Sequence, residues 1–292
     1  MPQTRWLAPL GLVIAATTWG LIWYPYRLLQ EAGIAGSVAS LLTYCAGLPV
    51  LLVLAMRTRI ADPAERRWLL ALALSAGWTN LAYVLAVIHG EIMRVMLLFY
   101  LAPLWTVVFA RVLLGERVGW RGAPVILLSL VGAWIMLAGG GGLPLPRSAA
   151  EWLALSAGMG FALANVVTRR VRSAPIALRS LWVFAGVAVV STVYATAEGH
   201  APHVVGTLDG WGWSLVAFTG ALLLLATFTV QYGLAHTPAN QAVVILLSEL
   251  VVAAVAARLL AGEHMSAEEW LGGGMIVAAT LFSGLLQTEQ KS

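Results

Sequence analysis

Glu249 stands inside an apolar run, ILLSELVVAAVA (245–256), with Ser248 beside it. A charge at the centre of an apolar helix costs about 2.5–3.5 kcal/mol on insertion scales, so such a carboxylate must be paired, solvated or protonated. It could attract an ammonium group or exchange a proton. The alternative is a neutral Glu hydrogen-bonded to a neighbouring helix. Other apolar runs carry aromatic and amide groups at helical spacing. Trp19, Trp23 and Tyr26 recur at i, i+4 and i+7; Asn80 and Tyr83 lie one turn apart, with Trp78 nearby; Tyr100 shares a face with Pro103. Phe161, Asn165 and Thr168 repeat the i, i+4, i+7 pattern, and Thr227 and Gln231 are i, i+4. Together these groups could wall a cavity for an amphiphilic solute, with rings for its side chain and amides and hydroxyls for its polar end. Each also has a plainer use. The tryptophans could pack or face lipid, and Asn80 and Asn165 could bond helix to helix. His89 and His236 titrate near neutrality and join Glu249 as candidates for coupling or gating, against a structural role at helix ends.

Elements of about 20 apolar residues must position these groups. Hydrophobic residues make up 60% of the chain and charged residues 10%, with a mean hydropathy of +0.86. A soluble domain is nearer a quarter charged. The pattern predicts an all-α integral membrane protein with ten spans: 8–29, 36–56, 68–88, 92–114, 120–138, 151–171, 176–197, 211–234, 239–261 and 268–287. Helices satisfy every backbone polar group within the span, and the runs lack the two-residue alternation of barrel strands. The first run is too long for the core of a cleavable leader. The single cysteine, Cys45, permits no internal disulfide. A pI near 9.6 would suit nucleic acid, but the arginines fall in short clusters between apolar runs, so no nucleic-acid partner is expected.

One phrase is written twice: ARVLLGE at 110–116 and ARLLAGE at 257–263. The offset also relates His89 to His236. Residues 1–138 and 151–292 are therefore read as two copies of one five-span unit, joined by a Gly/Pro linker at 139–150. Lys and Arg collect on the side holding both termini, leaving Arg27, Arg94, Arg147 and Arg258 on the other. With five spans in each half, the second enters the membrane upside down: two inverted repeats around a central cavity, an architecture suited to alternating access. Spans 1, 3, 4, 6, 8 and 9 hold most of the polar and aromatic groups and are expected to line the cavity. Trp6, Trp68, Trp120, Trp152, Trp211, Trp213 and Trp270 sit near span starts, as interfacial anchors do. Arg94 is expected to pair with Glu91 at i, i+3. Arg111 and Arg258 are expected to end their helices near Glu116 and Glu263, with a gating salt bridge as the alternative.

The five-plus-five pattern, the pair Trp19-Gly20, and Leu101-x-Pro103 followed by Leu113-Leu114-Gly115-Glu116 resemble the drug/metabolite transporter superfamily in its EamA-type branch. Ser248-Glu249, Ala253, Leu259, Leu260, Gly262 and Glu263 repeat the motif in the second half. Glu249-Leu250 stands where the family often has Glu-Pro. Within the superfamily, Tyr100-Leu101-x-Pro103 and the aromatic interior look most like YddG-type exporters of aromatic amino acids. The resemblance implies a bacterial inner-membrane exporter of amino acids or similar small metabolites, with cytoplasmic termini. Its partners would be a small solute and the bilayer. No cofactor, metal or obligatory protein partner is implied, and a single chain carrying both halves could work as a monomer. A multidrug or organic-cation antiporter of the same superfamily is the nearest alternative. An intramembrane enzyme is the weaker class: the histidines are scattered, and GEHM (262–265) is not a metal motif. A channel or scaffold fits an inverted repeat less well than a carrier does.

Overall fold

A computed structural model describes residues 7–56, 58, 63–115, 123–138, 145–171, 173–199, 208–237 and 239–289. Glu116, Trp120, Trp6, Pro238, most of the glycine linker and most of the 198–210 loop lie outside them. The described residues form twelve helical segments and no strand: α1 (Leu7–Leu21), α2 (Trp23–Glu31), α3 (Gly36–Ala55), α4 (Pro63–His89), α5 (Ile92–Phe99), α6 (Ala102–Leu114), α7 (Ala123–Ala138), α8 (Ala149–Arg170), α9 (Ile176–Ala197), α10 (Gly210–His236), α11 (Ala239–Leu260) and α12 (Ala267–Glu289). Seven of the resulting rods are long and apolar enough to cross a membrane, counting α1–α2 and α5–α6 as one rod each.

Ten apolar runs become twelve segments because two runs break. The first, read as one span over 8–29, divides at Ile22; the fourth, 92–114, divides at Tyr100–Leu101. Both breaks have the same cause. Proline has no N–H and its ring crowds the carbonyl four residues back. Pro25 and Pro103 stand four residues after Leu21 and Phe99, the last residues of α1 and α5. Pro49 lies inside α3 without ending it.

Packing partners exchange when the halves exchange. The α4·α8 contact is matched by α10·α1, α4·α9 by α10·α3, and the α1·α11 contact by α8 against α5 and α6. The α11·α12 contact is matched by α6·α7, while α3·α9 and α7·α12 join equivalent helices of the two halves. Glycine permits the closest approaches. A Cβ on Gly77 of α4 would lie 2.6 Å from the carbonyl oxygen of Gly186 on α9, and one on Gly220 of α10 would lie 2.7 Å from that of Thr43 on α3. Small residues let helix backbones approach where lipid removes the usual hydrophobic driving force.

Helix ends that meet show how the rods run. Arg27, Val87–Arg94, Arg147–Glu151 and Glu263–Glu269 are joined by hydrogen bonds and ion pairs at one end of the bundle, which we term the Arg27 end. At the opposite end Arg170 donates to the carbonyl of Leu113 and lies over the Trp68 ring, and Ser173 donates to Glu65. Thus α2, α4 and α11 finish at the Arg27 end, whereas α5, α8 and α12 start there.

Candidate functional site

The break after Phe99 aims Tyr100 at Glu249. The Tyr100 side chain faces the Glu249 carboxyl, with the Tyr83 side chain near it. The three residues come from α4, from the break between α5 and α6, and from α11, so both halves of the chain contribute. Phe99 is the hub of the adjoining aromatic cluster. Its ring centroid lies 5.6 Å from that of Tyr83, 6.1 Å from Tyr100 and 5.1 Å from Phe161 of α8. Phe161 and Asn165 are exposed one turn apart on α8. Four residues expected from their spacing, Tyr83, Tyr100, Phe161 and Glu249, are thereby brought together.

Two glycines set the distances at this seam. A Cβ on Gly20 would lie 2.7 Å from the carbonyl oxygen of Glu249, and one on Gly158 would lie 2.6 Å from that of Phe99. Gly20 thus holds α1 against α11, and Gly158 holds α8 against the carbonyl that Pro103 leaves without its N–H. The break also redirects the chain. Before it, α5 packs on α8, α11 and α12; after it, α6 packs on α8 and α7.

The remaining expected residues fall elsewhere. Asn80 is buried and ties α4 to α3: Ser40 donates to its Oδ1 at 2.5 Å, and its Nδ2 donates to the Tyr44 hydroxyl at 2.9 Å. The Tyr26 hydroxyl pairs with that of Thr43 at 3.0 Å in the same buried layer. Trp23 is buried, edge-on to Tyr24, with the Arg27 guanidinium 5.3 Å from its ring centre. Trp19 packs beside the buried cluster of Tyr26, Tyr44 and Phe184. Trp78 is exposed on a stripe with Leu70 and Leu74, on the side of α4 away from Asn80. Gln231 is half-buried on α10, and Ser248 returns its hydroxyl to the carbonyl of Ile245 at 2.6 Å. His89 and His236 are exposed, and each ring Nδ1 lies 2.8 Å from the carbonyl four residues back, Leu85 and Tyr232. Both close the last turn of a helix, and neither reaches Glu249.

The ion pairs differ from those expected. Arg94 turns away from Glu91 and donates to Glu151 at 3.0 Å and Glu269 at 3.1 Å. Each of these carboxylates also serves the start of its own helix. Glu269 accepts from the N–H of Ser266 while the Ser266 hydroxyl accepts from the N–H of Glu269, a reciprocal cap; at α8 the Ser148 hydroxyl accepts from the N–H of Glu151, whose carboxylate accepts from the N–H of Arg147. Arg258 meets the His264 ring rather than Glu263. Glu263 instead faces Arg27 at 3.6 Å and accepts from the N–H groups of Ile92 and Met93.

A groove of about 380 Å³ between Leu21 and the Val251, Val255 and Leu259 face of α11 is apolar throughout and carries no group that could select a solute.

The EamA-like transporter family model matches residues 6–138 and again residues 148–285, one match to each half. The chain belongs to the EamA-like transporter family. An uncharacterised transporter of Archaeoglobus fulgidus is 25% identical over 226 residues, 74% of this chain and 76% of that protein. A solved crystal structure shares the fold with a TM-score of 0.59, at 18% identity, over 99% of this chain and all of that one. This EamA-like chain is therefore a multi-pass membrane transporter, and Phe99 is the member of its cluster that the sequence pattern did not single out. An apolar residue in an apolar run carries no signal; Pro103 four positions later was the available clue.

Proposed function

We propose that the protein is a secondary carrier that exports amino acids, aromatic or neutral ones first, or similar small amphiphilic metabolites, by alternating access of two inverted five-span repeats. The observation that carries this reading is the Glu249 carboxyl facing Tyr100 and Tyr83 beside the Phe99–Phe161 pair, where the two halves meet. A carboxylate can hold a primary ammonium, and a ring cluster can hold an aromatic or aliphatic side chain. Asn165 offers an amide on the same side as Phe161. The exchange of packing partners between the halves supports rocking of one unit against the other.

The arginine distribution supports both termini on the cytoplasmic side of a bacterial inner membrane, with the Arg27 end outward. In that frame the outer end is tied shut by Glu263 and Arg94, and the solute would reach Glu249 from the cytoplasm. Residues 1–138 and 151–292 act as the two moving units, with 139–150 as the linker between them.

Calorimetry on purified protein tests the substrate class. Phenylalanine should bind, and 3-phenylpropionate, which keeps the ring and carboxylate but lacks the ammonium, should not. Equal binding of the two would remove Glu249 from recognition. Binding of an organic cationic dye without any amino acid would favour drug export.

A further inference from the structure

Three helices at the Arg27 end cap themselves. Ser148 caps α8, Asp209 caps α10, and Ser266 caps α12, each through its own side chain. The first residues of α5 are different. Glu91 stands at the cap position and makes no side-chain cap. The free N–H groups of Ile92 and Met93 are taken instead by Glu263, at 2.8 and 3.3 Å, from the loop between α11 and α12. The first helical turn carries free donors and partial positive charge, and a carboxylate satisfies both.

Glu263 has a second partner on another element. Arg27 of α2 lies 3.6 Å from it and donates to the carbonyls of Val87 and Gly90, at 2.9 and 2.7 Å, where α4 ends. One carboxylate of the second half thus joins α2, α4 and α5 of the first. The backbone aims it there. Gly262 adopts φ 68, and the N–H of Glu263 bonds back to the carbonyl of Ala257, so the chain reverses tightly at the end of α11. One turn inside α5, Arg94 makes a second tie to α8 and α12.

We propose that Glu263 is the latch of the central cavity at this end: transport requires it to release the α5 N-terminus and Arg27, and to re-form both contacts when the end closes. This rests on the carrier reading above. Glu263 is a positioning residue, distinct from the solute-binding Glu249. The helix start it caps belongs to the rod that carries Tyr100, so release of the latch frees the element on which the site is built.

The test uses full-length protein in which Cys45 is replaced by serine. Spin labels at Glu31 and Glu268 report the Arg27 end, and a second pair at Arg67 and His236 reports the opposite end. Double electron–electron resonance in liposomes gives both distance distributions. In the parent, the first pair should be mostly short. Glu263→Ala should raise its longer population by a factor on the order of 10, the scale of a lost helix cap. The second pair should shift in the opposite sense, toward short. A purely structural role would broaden both pairs together and would overturn the proposal, as would unchanged distributions. Glu263→Gln should keep the first pair mostly short, because its amide oxygen still accepts from an N–H and brings no charge to be buried. If Glu263→Ala does not fold, Arg27→Gln is decisive: it leaves the cap and removes the pair, so it should lengthen the first distance, and an unchanged distance would overturn the latch. Counterflow by the parent is measured alongside. Loss of counterflow in the parent would count against the carrier reading, whereas the opposed distance changes bear on the latch alone.

Discussion

Tyr100 and Glu249 meet across the seam between the two halves of the chain, the phenol of one facing the carboxyl of the other. Neither half contains this pair alone. Any motion that slides α11 against the α5–α6 break must change this contact.

Removing the phenol should therefore weaken solute handling without unfolding the protein. A phenol facing a carboxylate can contribute a hydrogen bond of about 1.5–3 kcal/mol. Tyr100→Phe should raise the KM for transport by about 10-fold or more, with an unchanged melting temperature. Tyr83→Phe, which leaves the Tyr100 phenol in place, should cost less. Equal effects of the two would mean that the contact of Tyr100 with Glu249 is not what matters.

The seam has no room for a methyl group. Gly20→Ala would place a carbon 2.7 Å from the Glu249 carbonyl oxygen, and Gly158→Ala one 2.6 Å from that of Phe99. Overpacking of this kind costs about 1–3 kcal/mol. Each variant should melt several degrees lower and lose transport, while Gly274→Ala, which meets nothing within 4 Å, should behave as the parent. Scanning fluorimetry of the three variants checks this.

Pro103 separates α5 from α6. Pro103→Ala restores an N–H to the Phe99 carbonyl and allows one continuous helix. Amides at residues 100–104 should then gain protection in hydrogen–deuterium exchange, and transport should fall, because a straight rod turns Tyr100 away from Glu249. Unchanged exchange would mean that packing against α8 imposes the break without the proline.

The Glu263 latch has a pH sign of its own. Burial pushes its carboxyl above the ordinary range, more than the N–H groups of Ile92 and Met93 and the Arg27 guanidinium pull it down, and nearby Glu91 raises it further. If the open state returns Glu263 to water, the closed state holds the proton more tightly, and acidification favours it. The spin-labelled pair at the Arg27 end should become shorter on average as pH falls through the carboxylate range. It should lengthen as pH rises, and Glu263→Gln should abolish the trend.

Much of this was legible in the sequence, and the reasons are local. The ten apolar runs and the repeated phrase lie along the chain, so periodicity and self-comparison find them. Tyr83, Tyr100, Phe161 and Glu249 stood out as polar or aromatic groups in apolar surroundings. The helix break at Leu21 was readable from Pro25 and was missed because hydropathy runs through it. The partners of Arg94 lie 57 and 175 positions away, so helical spacing suggested Glu91 instead. Glu263 and Ile92 are 171 positions apart, a pairing that only the tertiary fold creates. Asn80 looked the same in sequence whether it faced a cavity or bonded to α3; burial beside Ser40 and Tyr44 is what distinguishes the two.

Counterflow in proteoliposomes tests the central claim most directly. Vesicles preloaded with unlabelled phenylalanine are diluted into a trace of labelled phenylalanine, with no pH gradient, for the parent and for Glu249→Gln. A carrier built around Glu249 predicts transient accumulation of label by the parent and loss of that accumulation in Glu249→Gln. Undiminished counterflow in the variant would contradict the assignment of Glu249 to the solute site, and no accumulation of any amino acid by the parent would contradict amino-acid export.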